Sequence, residues 1–131
     1  LQELNLGSNQ LSQLPNEFAL LQSLSVLWLD DNMFEHIPTS ICRLSHLRVL
    51  RMSGNQIQEI PELIQILTNL EHLSLDNNEI SEIPDGLSKL LNLKFLWLRQ
   101  NKILSLPDSM RRFMNLEILS ISSNLLSVIS N

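Results

Sequence analysis

The sequence lacks several features that define particular classes of protein. It has a single cysteine, Cys42, so it cannot form an internal disulfide and is not a small disulfide-stabilised secreted domain. Charged residues make up only 18% of the chain and the net charge is −5, so nothing marks it as a binder of nucleic-acid phosphates. No apolar run approaches the roughly 20 residues that span a bilayer, and no Asn-x-Ser/Thr glycosylation triplet occurs. These absences predict a cytoplasmic protein without membrane insertion.

Leucine and isoleucine, by contrast, are abundant and regularly spaced. The 131 residues include 30 leucines and 12 isoleucines, which excludes a disordered chain. Written in rows of 23 residues, the sequence aligns without a single insertion. The repeats span residues 1–23, 24–46, 47–69, 70–92, 93–115 and the partial 116–131.

Within each row, the same kinds of residue return at the same positions. Positions one, four, six, eleven and fourteen are almost always leucine or isoleucine, and all five prolines fall at position fifteen. Position nine is asparagine in every repeat: Asn9, Asn32, Asn55, Asn78, Asn101 and Asn124. The row reads LxxLxLxxNxLxxLP, followed by apolar residues at positions eighteen and twenty-one. This recurrence indicates one structural unit repeated along the chain.

Each recurring position has a physical role. Alternation at positions four and six predicts a short strand with one buried face. An asparagine amide both donates and accepts, so a stack of such residues predicts a buried ladder that satisfies the backbone of the turns. Proline fixes φ and suits the start of the return segment, while apolar residues three apart predict one buried stripe on a short helix. One repeat cannot bury its own apolar side, but stacked repeats bury it against each other.

This pattern resembles the leucine-rich repeat family over the whole chain. The resemblance implies an α/β fold, a right-handed curved solenoid with a concave parallel sheet and short helices or turns on the convex side. The 23-residue period with Leu/Ile-Pro is most similar to the Ras-group intracellular subclass of Ras-suppressor and Scribble-like scaffolds. Neither end carries a recognisable cap, and Ser130 stands where earlier repeats have proline. We therefore expect the chain to be a segment of a longer array.

The outward strand positions are the candidate binding surface. Both tryptophans occupy position five, and position three is mostly apolar. Exposed tryptophan beside arginine and apolar residues is typical of the energetically dominant parts of protein interfaces. The predicted protein-binding residues on the concave face are Val26, Trp28, Asp30, Val49, Arg51, His72, Asp76, Phe95, Trp97 and Arg99. The alternative is that these side chains only pack laterally on each other.

Other candidate sites are weaker. His36, His46 and His72 occupy three different positions of the repeat, so they predict no metal site, and Cys42 is interpreted as a buried structural cysteine. Asp30 and Asp76 share position seven two repeats apart, which is interpreted as a solvated rim rather than a glycosidase pair. No P-loop, nucleophile-elbow or kinase motif occurs. The sequence therefore predicts no enzyme, cofactor, metal or small-molecule substrate.

The most direct functional prediction is a non-catalytic protein–protein interaction module, a scaffold or recognition domain in intracellular signalling. The resemblance suggests a small GTPase, a phosphatase or another signalling protein as the partner, and no nucleic acid. Two alternatives stay open. One is the recognition arm of a larger enzyme, such as a kinase, a cyclase, a Roco-type GTPase or a ubiquitin ligase. The other is a secreted bacterial or parasite effector.

Overall fold

Each repeat begins with a strand of three residues in the computed structural model, which describes residues 1–127. The middle residue of each strand is the leucine of position four, and the residues beside it face outward, as alternation requires. The strands are β1 (Glu3–Asn5), β2 (Val26–Trp28), β3 (Val49–Arg51), β4 (His72–Ser74), β5 (Phe95–Trp97) and β6 (Ile118–Ser120).

The six strands form one parallel sheet in chain order, the concave side of a curved solenoid. The register joins equivalent positions of neighbouring repeats, so that Leu50 pairs with Leu73 and Arg51 with Ser74. Backbone pairing continues past the strands, since the Leu75 amide donates to the Trp97 carbonyl at 2.8 Å. Because every partner lies 23 residues away, the repeat length itself sets the register.

The return segments are 3₁₀ helices, which refines the short helices expected from the sequence. Their apolar residues are three apart, which matches the three residues per turn of a 3₁₀ helix. In every complete repeat the proline carbonyl accepts the amide of position eighteen, as from Phe18 to Pro15 at 3.0 Å. The helices are η1 (Asn16–Leu20), η2 (Ile41–Arg43), η3 (Glu62–Ile66), η4 (Asp85–Lys89) and η5 (Asp108–Arg112).

The core is a continuous stack of apolar side chains between the sheet and the 3₁₀ helices. Leu27, Leu50, Leu73 and Leu96 are fully buried. Their equivalents in the first and last repeats, such as Leu4, are only partly buried, because each terminal repeat has one neighbour. Ser130 lies outside the described residues.

The position-nine asparagines join the repeats through buried hydrogen bonds. Asn78 Nδ2 donates to the carbonyls of Leu75 at 3.0 Å and Asp76 at 3.1 Å, and to that of Met52 in the preceding repeat at 3.0 Å. Its Oδ1 accepts the amide of Ile57 at 2.9 Å. Asn32, Asn55 and Asn101 repeat this arrangement and are at most 8% exposed. Asn124 does the same with less burial, whereas Asn9 reaches only the carbonyls of its own repeat.

The turn before each asparagine requires an unusual backbone conformation. The residue at position eight has a positive φ in all six repeats, from 54° at Asn77 to 71° at Gly54. Only one of the six is glycine; the others are Ser8, Asp31, Asn77, Gln100 and Ser123. The left-handed conformation disfavours most side chains. Gly54, Asn77 and Asp31 are residue types that adopt it most readily, whereas Ser8, Gln100 and Ser123 are not, so the local preference of the residue alone does not explain the turn in every repeat.

We expect Asn78→Ala to lower the free energy of unfolding by about 1–3 kcal/mol, because three buried carbonyls and one buried amide lose their partner. Urea denaturation measures the effect. Asn92→Ala is the matched control, since Asn92 is exposed and donates one bond, to Thr68. An unchanged midpoint for Asn78→Ala would show that the ladder does not stabilise the fold.

Candidate protein-binding face

Two rows of outward side chains cross the concave sheet. The first row contains Val26, Val49, His72, Phe95 and Ile118, and the second contains Trp28, Arg51, Ser74, Trp97 and Ser120. Trp28 is 37% exposed and Trp97 is partly buried. Three strand spacings separate the tryptophans, which is roughly 14 Å. The residues between them are Arg51 and Ser74, and His72 lies in the other row.

Ring contacts join His72 to Phe95 and Arg99 to Trp97 on this face. The rings of His72 and Phe95 stack with centroids 4.4 Å apart, and the Arg99 guanidinium lies 5.4 Å from the Trp97 ring centroid. A guanidinium over an indole face is an attractive arrangement. These side chains are therefore ordered before any partner arrives, which lowers the entropy lost on binding.

Ion pairs hold the basic residues of the same face. Arg51 pairs with Asp30 at 2.9 Å and Arg99 with Asp76 at 2.8 Å. At the edge of the sheet Glu71 pairs with Arg48 at 2.9 Å. Lys94 approaches Glu71 at 3.8 Å. The Asp76 carboxylate raises the pKa of Arg99, mainly by hydrogen bonding and also by its charge, so this guanidinium is charged at every physiological pH.

Position seven forms a second chain of cross-repeat hydrogen bonds. Asp30 Oδ1 accepts the Ser53 amide at 2.9 Å, Ser53 Oγ accepts the Asp76 amide at 3.1 Å, and Asp76 Oδ1 accepts the Arg99 amide at 2.7 Å. Asp76 is only 9% exposed. The solvated-rim interpretation is therefore wrong for Asp76, because its carboxylate is turned onto the backbone and the arginine of the next repeat.

A hollow of about 430 Å³ opens between Arg51 and Arg99. Its floor carries Ser53 and Ser74, whose hydroxyl oxygens are 2.8 Å apart, and its walls include Val49 and Trp97. Nine of the outward residues line it: Val49, Arg51, Ser53, His72, Ser74, Asp76, Asn77, Trp97 and Arg99. Six of the ten predicted binding residues, including Asp76, therefore line the hollow. The other four lie outside it: Val26, Trp28, Asp30 and Phe95.

A larger hollow, about 610 Å³, lies away from the concave face, where repeats one and two lead into η1 and η2. It includes Ser40, whose Oγ is the only buried side-chain polar atom without a hydrogen bond in residues 1–127. The equivalent Ser109 donates to Asp85 of the preceding repeat at 2.8 Å. Repeat one has Asn16 in place of that acid, with no such bond. Ser40 thus lacks the bond between repeats that Ser109 makes.

Cys42 is buried, as the sequence predicted, and two of the histidines lie at the surface. His36 and His46 are exposed, and the described part of the chain contains no His/Cys/Asp/Glu cluster that could hold a metal. Cys42 is fully buried in η2, and this burial raises its pKa to about 11. A thiol in that state is a poor nucleophile at neutral pH.

Sequence reasoning missed a third ladder, on the exposed edge where the return segments lead into the strands. Asn69, Asn92 and Asn115 at position twenty-three donate to carbonyls of the preceding repeat, at 2.9, 2.8 and 2.7 Å. Their recurrence in three successive repeats was a readable signal. The hydrogen bonds from position-seven amides to position-seven side chains had no such signal, because the residue type at this position changes from repeat to repeat.

The return side also exposes apolar residues, so it competes with the concave face as a binding surface. Leu20, Ile66, Leu91 and Met114 are 47–81% exposed. The basic residues beside them are Arg43, Lys89 and Arg112, which form no ion pair within residues 1–127. These residues are controls for any experiment on the concave face.

Comparisons with known proteins agree with this geometry. The family model of the leucine-rich repeat region matches residues 1–82 and 39–129. The structure of a leucine-rich repeat protein of Leptospira interrogans is 38% identical, with a TM-score of 0.93 over 97% of this chain and 32% of that one. No curated protein sequence gives a significant match. No helix of residues 1–127 is long and apolar enough to cross a membrane.

Two structures from Arabidopsis thaliana are also similar. The ectodomain of the plant membrane receptor kinase GASSHO1/SCHENGEN3, in complex with CASPARIAN STRIP INTEGRITY FACTOR 2, is 34% identical. Its TM-score is 0.84 over 95% of this chain and 16% of that one. A chain of the BIR3–SERK2 complex is 31% identical, with a TM-score of 0.76 over 98% of this chain and 69% of that one. The chain thus spans a third or less of the first two structures.

We expect Asp76→Ala to lower the free energy of unfolding by about 1–3 kcal/mol, because the Arg99 amide loses its acceptor in a nearly buried site. Glu79→Ala is the control, an exposed acid of the same repeat whose side chain has no hydrogen bond or ion pair within residues 1–127. If the two variants have equal midpoints in urea denaturation, Asp76 does not stabilise the fold and behaves as a solvated rim residue.

Burial of Cys42 also predicts a pH dependence of stability. The folded-state pKa of about 11 lies above the ordinary thiol value, which is about 8.5. The stability contributed by the neutral thiol is therefore complete below about pH 8.5 and is lost as the pH rises toward the folded-state pKa. Chemical denaturation at several pH values in this range should show that the free energy of unfolding falls more steeply with pH for the native chain than for Cys42→Ala. Parallel curves would contradict it.

Proposed function

The chain belongs to the leucine-rich repeat family, whose fold serves as a protein-interaction module, and we propose that it binds a partner protein through its concave face. The proposed surface extends from repeat two to repeat five. Its anchors are Trp28 and Trp97, with Val26, Val49 and Phe95 in the neighbouring row and Arg51 and Arg99 between and beside them.

The observation that supports this choice is a pair of tryptophans on one ordered, concave surface. Tryptophan and arginine are enriched among residues that dominate binding energy, and they act best where neighbours already hold them. Here Arg99 lies over Trp97, and Asp30 and Asp76 hold the two arginines. Asp30 and Asp76 thus contribute to binding by positioning arginines, and not by contacting the partner through free carboxylates.

The return side supports a binding role less well. Its exposed apolar residues are leucine, isoleucine and methionine, and leucine is under-represented among dominant interface residues. At position twenty, the basic Arg43 separates Leu20 from Ile66, and Lys89 and Arg112 follow in the next two repeats. Leu91 and Met114 lie at position twenty-two. Exposed apolar side chains of this kind are common at protein surfaces and need no partner.

We further propose a cytoplasmic scaffold of the Ras-group subclass in intracellular signalling, with a small GTPase or phosphatase as partner. The support is the 23-residue period with Leu/Ile-Pro and the single, reduced Cys42. We propose no catalytic role, since leucine-rich repeat domains are generally binding modules.

A second candidate is the recognition arm of a larger enzyme. Similarity to the ectodomain of a plant membrane receptor kinase favours it, because that domain binds its factor as one part of a kinase. A bacterial effector is the third candidate, and the similarity to the Leptospira interrogans protein is the observation in its favour. All three use the same concave surface.

The test is capture of the partner from cell extract with the native chain, followed by titration of the purified pair. Trp28→Ala and Trp97→Ala should each weaken binding by about 2 kcal/mol or more, because each removes a central aromatic anchor. Arg43→Ala and Arg112→Ala on the return side should leave the affinity unchanged. Loss of binding in the arginine variants with normal binding in both tryptophan variants would show that the wrong face was chosen.

A further inference from the structure

The hollow between Arg51 and Arg99 contains hydrogen-bond donors that have no acceptor. Asp76 holds Arg99 through its Nε and Nη2 atoms, at 3.1 and 2.8 Å, so the Nη1 group has no partner within residues 1–127. Asp30 holds Arg51 only through Nη2, which leaves Nε and Nη1 without one in the same range. A guanidinium carries five N–H donors in a rigid plane, and both groups therefore keep donors for a ligand.

The floor of the hollow adds one more donor. Ser53 and Ser74 have two hydroxyl hydrogens, and their contact at 2.8 Å uses one of them. Ser53 Oγ also accepts the Asp76 amide, which uses a lone pair and not a hydrogen. Whichever serine donates to the other, the second hydroxyl hydrogen has no acceptor among the described residues. The Trp97 indole N–H likewise has none.

The hollow has fewer free hydrogen-bond acceptors than free donors. Asp76 already accepts three hydrogen bonds, from the amide and the side chain of Arg99. The remaining polar lining groups, the His72 ring and the Asn77 amide, each offer both a donor and an acceptor. The hollow therefore favours a ligand that is an acceptor without hydrogens of its own, and a charged arginine pair favours an anion.

We propose that this hollow binds the side-chain carboxylate of a glutamate or aspartate of the partner protein, a proposal that rests on the concave-face function above. The carboxylate lies among the free donors of Arg51, Arg99 and the serine pair, while Val49 and Trp97 contact its aliphatic stem. The aspartates behind the arginines repel this group only weakly, because the charge of each is offset by the arginine with which it is paired. They fix the guanidinium positions, which makes the site ready for a planar anion.

Nuclear magnetic resonance titration of the native chain tests the proposal. The probes are two capped peptides, acetyl-Leu-Glu-Leu-amide and acetyl-Leu-Gln-Leu-amide, which differ only in the carboxylate and have no free terminus. At millimolar concentration the glutamate peptide should shift the Trp97 indole and Arg99 Nε–H signals, with Trp28→Phe used to assign the indoles. The glutamine peptide should bind about fivefold or more weakly, as expected for the loss of charge-assisted hydrogen bonds.

Variants locate the site. Arg51→Gln should weaken the glutamate peptide about fivefold or more, whereas Arg48→Gln should not, because Arg48 is also ion-paired but does not line the hollow. Equal binding of the two peptides at Trp97, equal effects of the two arginine variants, or no shift at all would overturn the carboxylate proposal and leave the concave face standing. Shifts confined to Lys89, Arg112 and Met114 would contradict both the hollow and the concave face.

Discussion

The buried asparagine at position nine is the interaction on which the rest of the structure depends. The chain must turn away from the sheet after each strand, and that turn leaves backbone carbonyls buried away from water. Asn55 donates to three such carbonyls, those of Leu29, Met52 and Ser53, and accepts the Phe34 amide. An unpaired buried backbone group is costly, so every repeat must present an amide at the same place. A constant repeat length follows, and with it the register of the sheet.

The fixed register places a side chain beside its equivalents in the neighbouring repeats, and this creates the concave face. At position two the charge alternates in sign through Arg48, Glu71 and Lys94. At position seven the side chain of one repeat accepts the amide of the next, so that Asp30 accepts from Ser53 and Ser53 from Asp76. Repeat four has five acidic residues and one lysine, and repeat five has five basic residues and one aspartate. Repeats four and five are thus complementary in charge. The backbone ladder is common to all repeats, whereas these side-chain pairs suit each repeat to its own neighbours.

The sequence predicted the features that depend on position within a repeat, and not those that depend on pairs of repeats. The strands, the return segments that begin with proline and the ladder asparagines recur every 23 residues. A prediction made for one repeat is therefore supported by the other repeats. Arg99 pairs with Asp76 of the preceding repeat, and no residue type that recurs from repeat to repeat indicates this pairing. The same limit explains why Asp76 was taken for a solvated residue. The sequence did not predict Ser74 as a site residue for another reason. An outward serine becomes a candidate only when its hydroxyl is seen to contact Ser53.

In the proposed binding mode, residues of the concave face serve both structural support and recognition, and this changes how the charge of the face acts. Arg48, Arg51, Lys94 and Arg99 are all ion-paired within the chain, so the face attracts anions weakly at long range. The proposed selectivity acts at contact distance, through the arginine donors that the aspartates orient and leave free. Each aspartate at position seven accepts the amide of the next repeat and also pairs with the arginine proposed to meet the partner. A substitution there would affect stability and recognition together, whereas a substitution of Trp28 would remove binding surface without removing any hydrogen bond that joins the repeats.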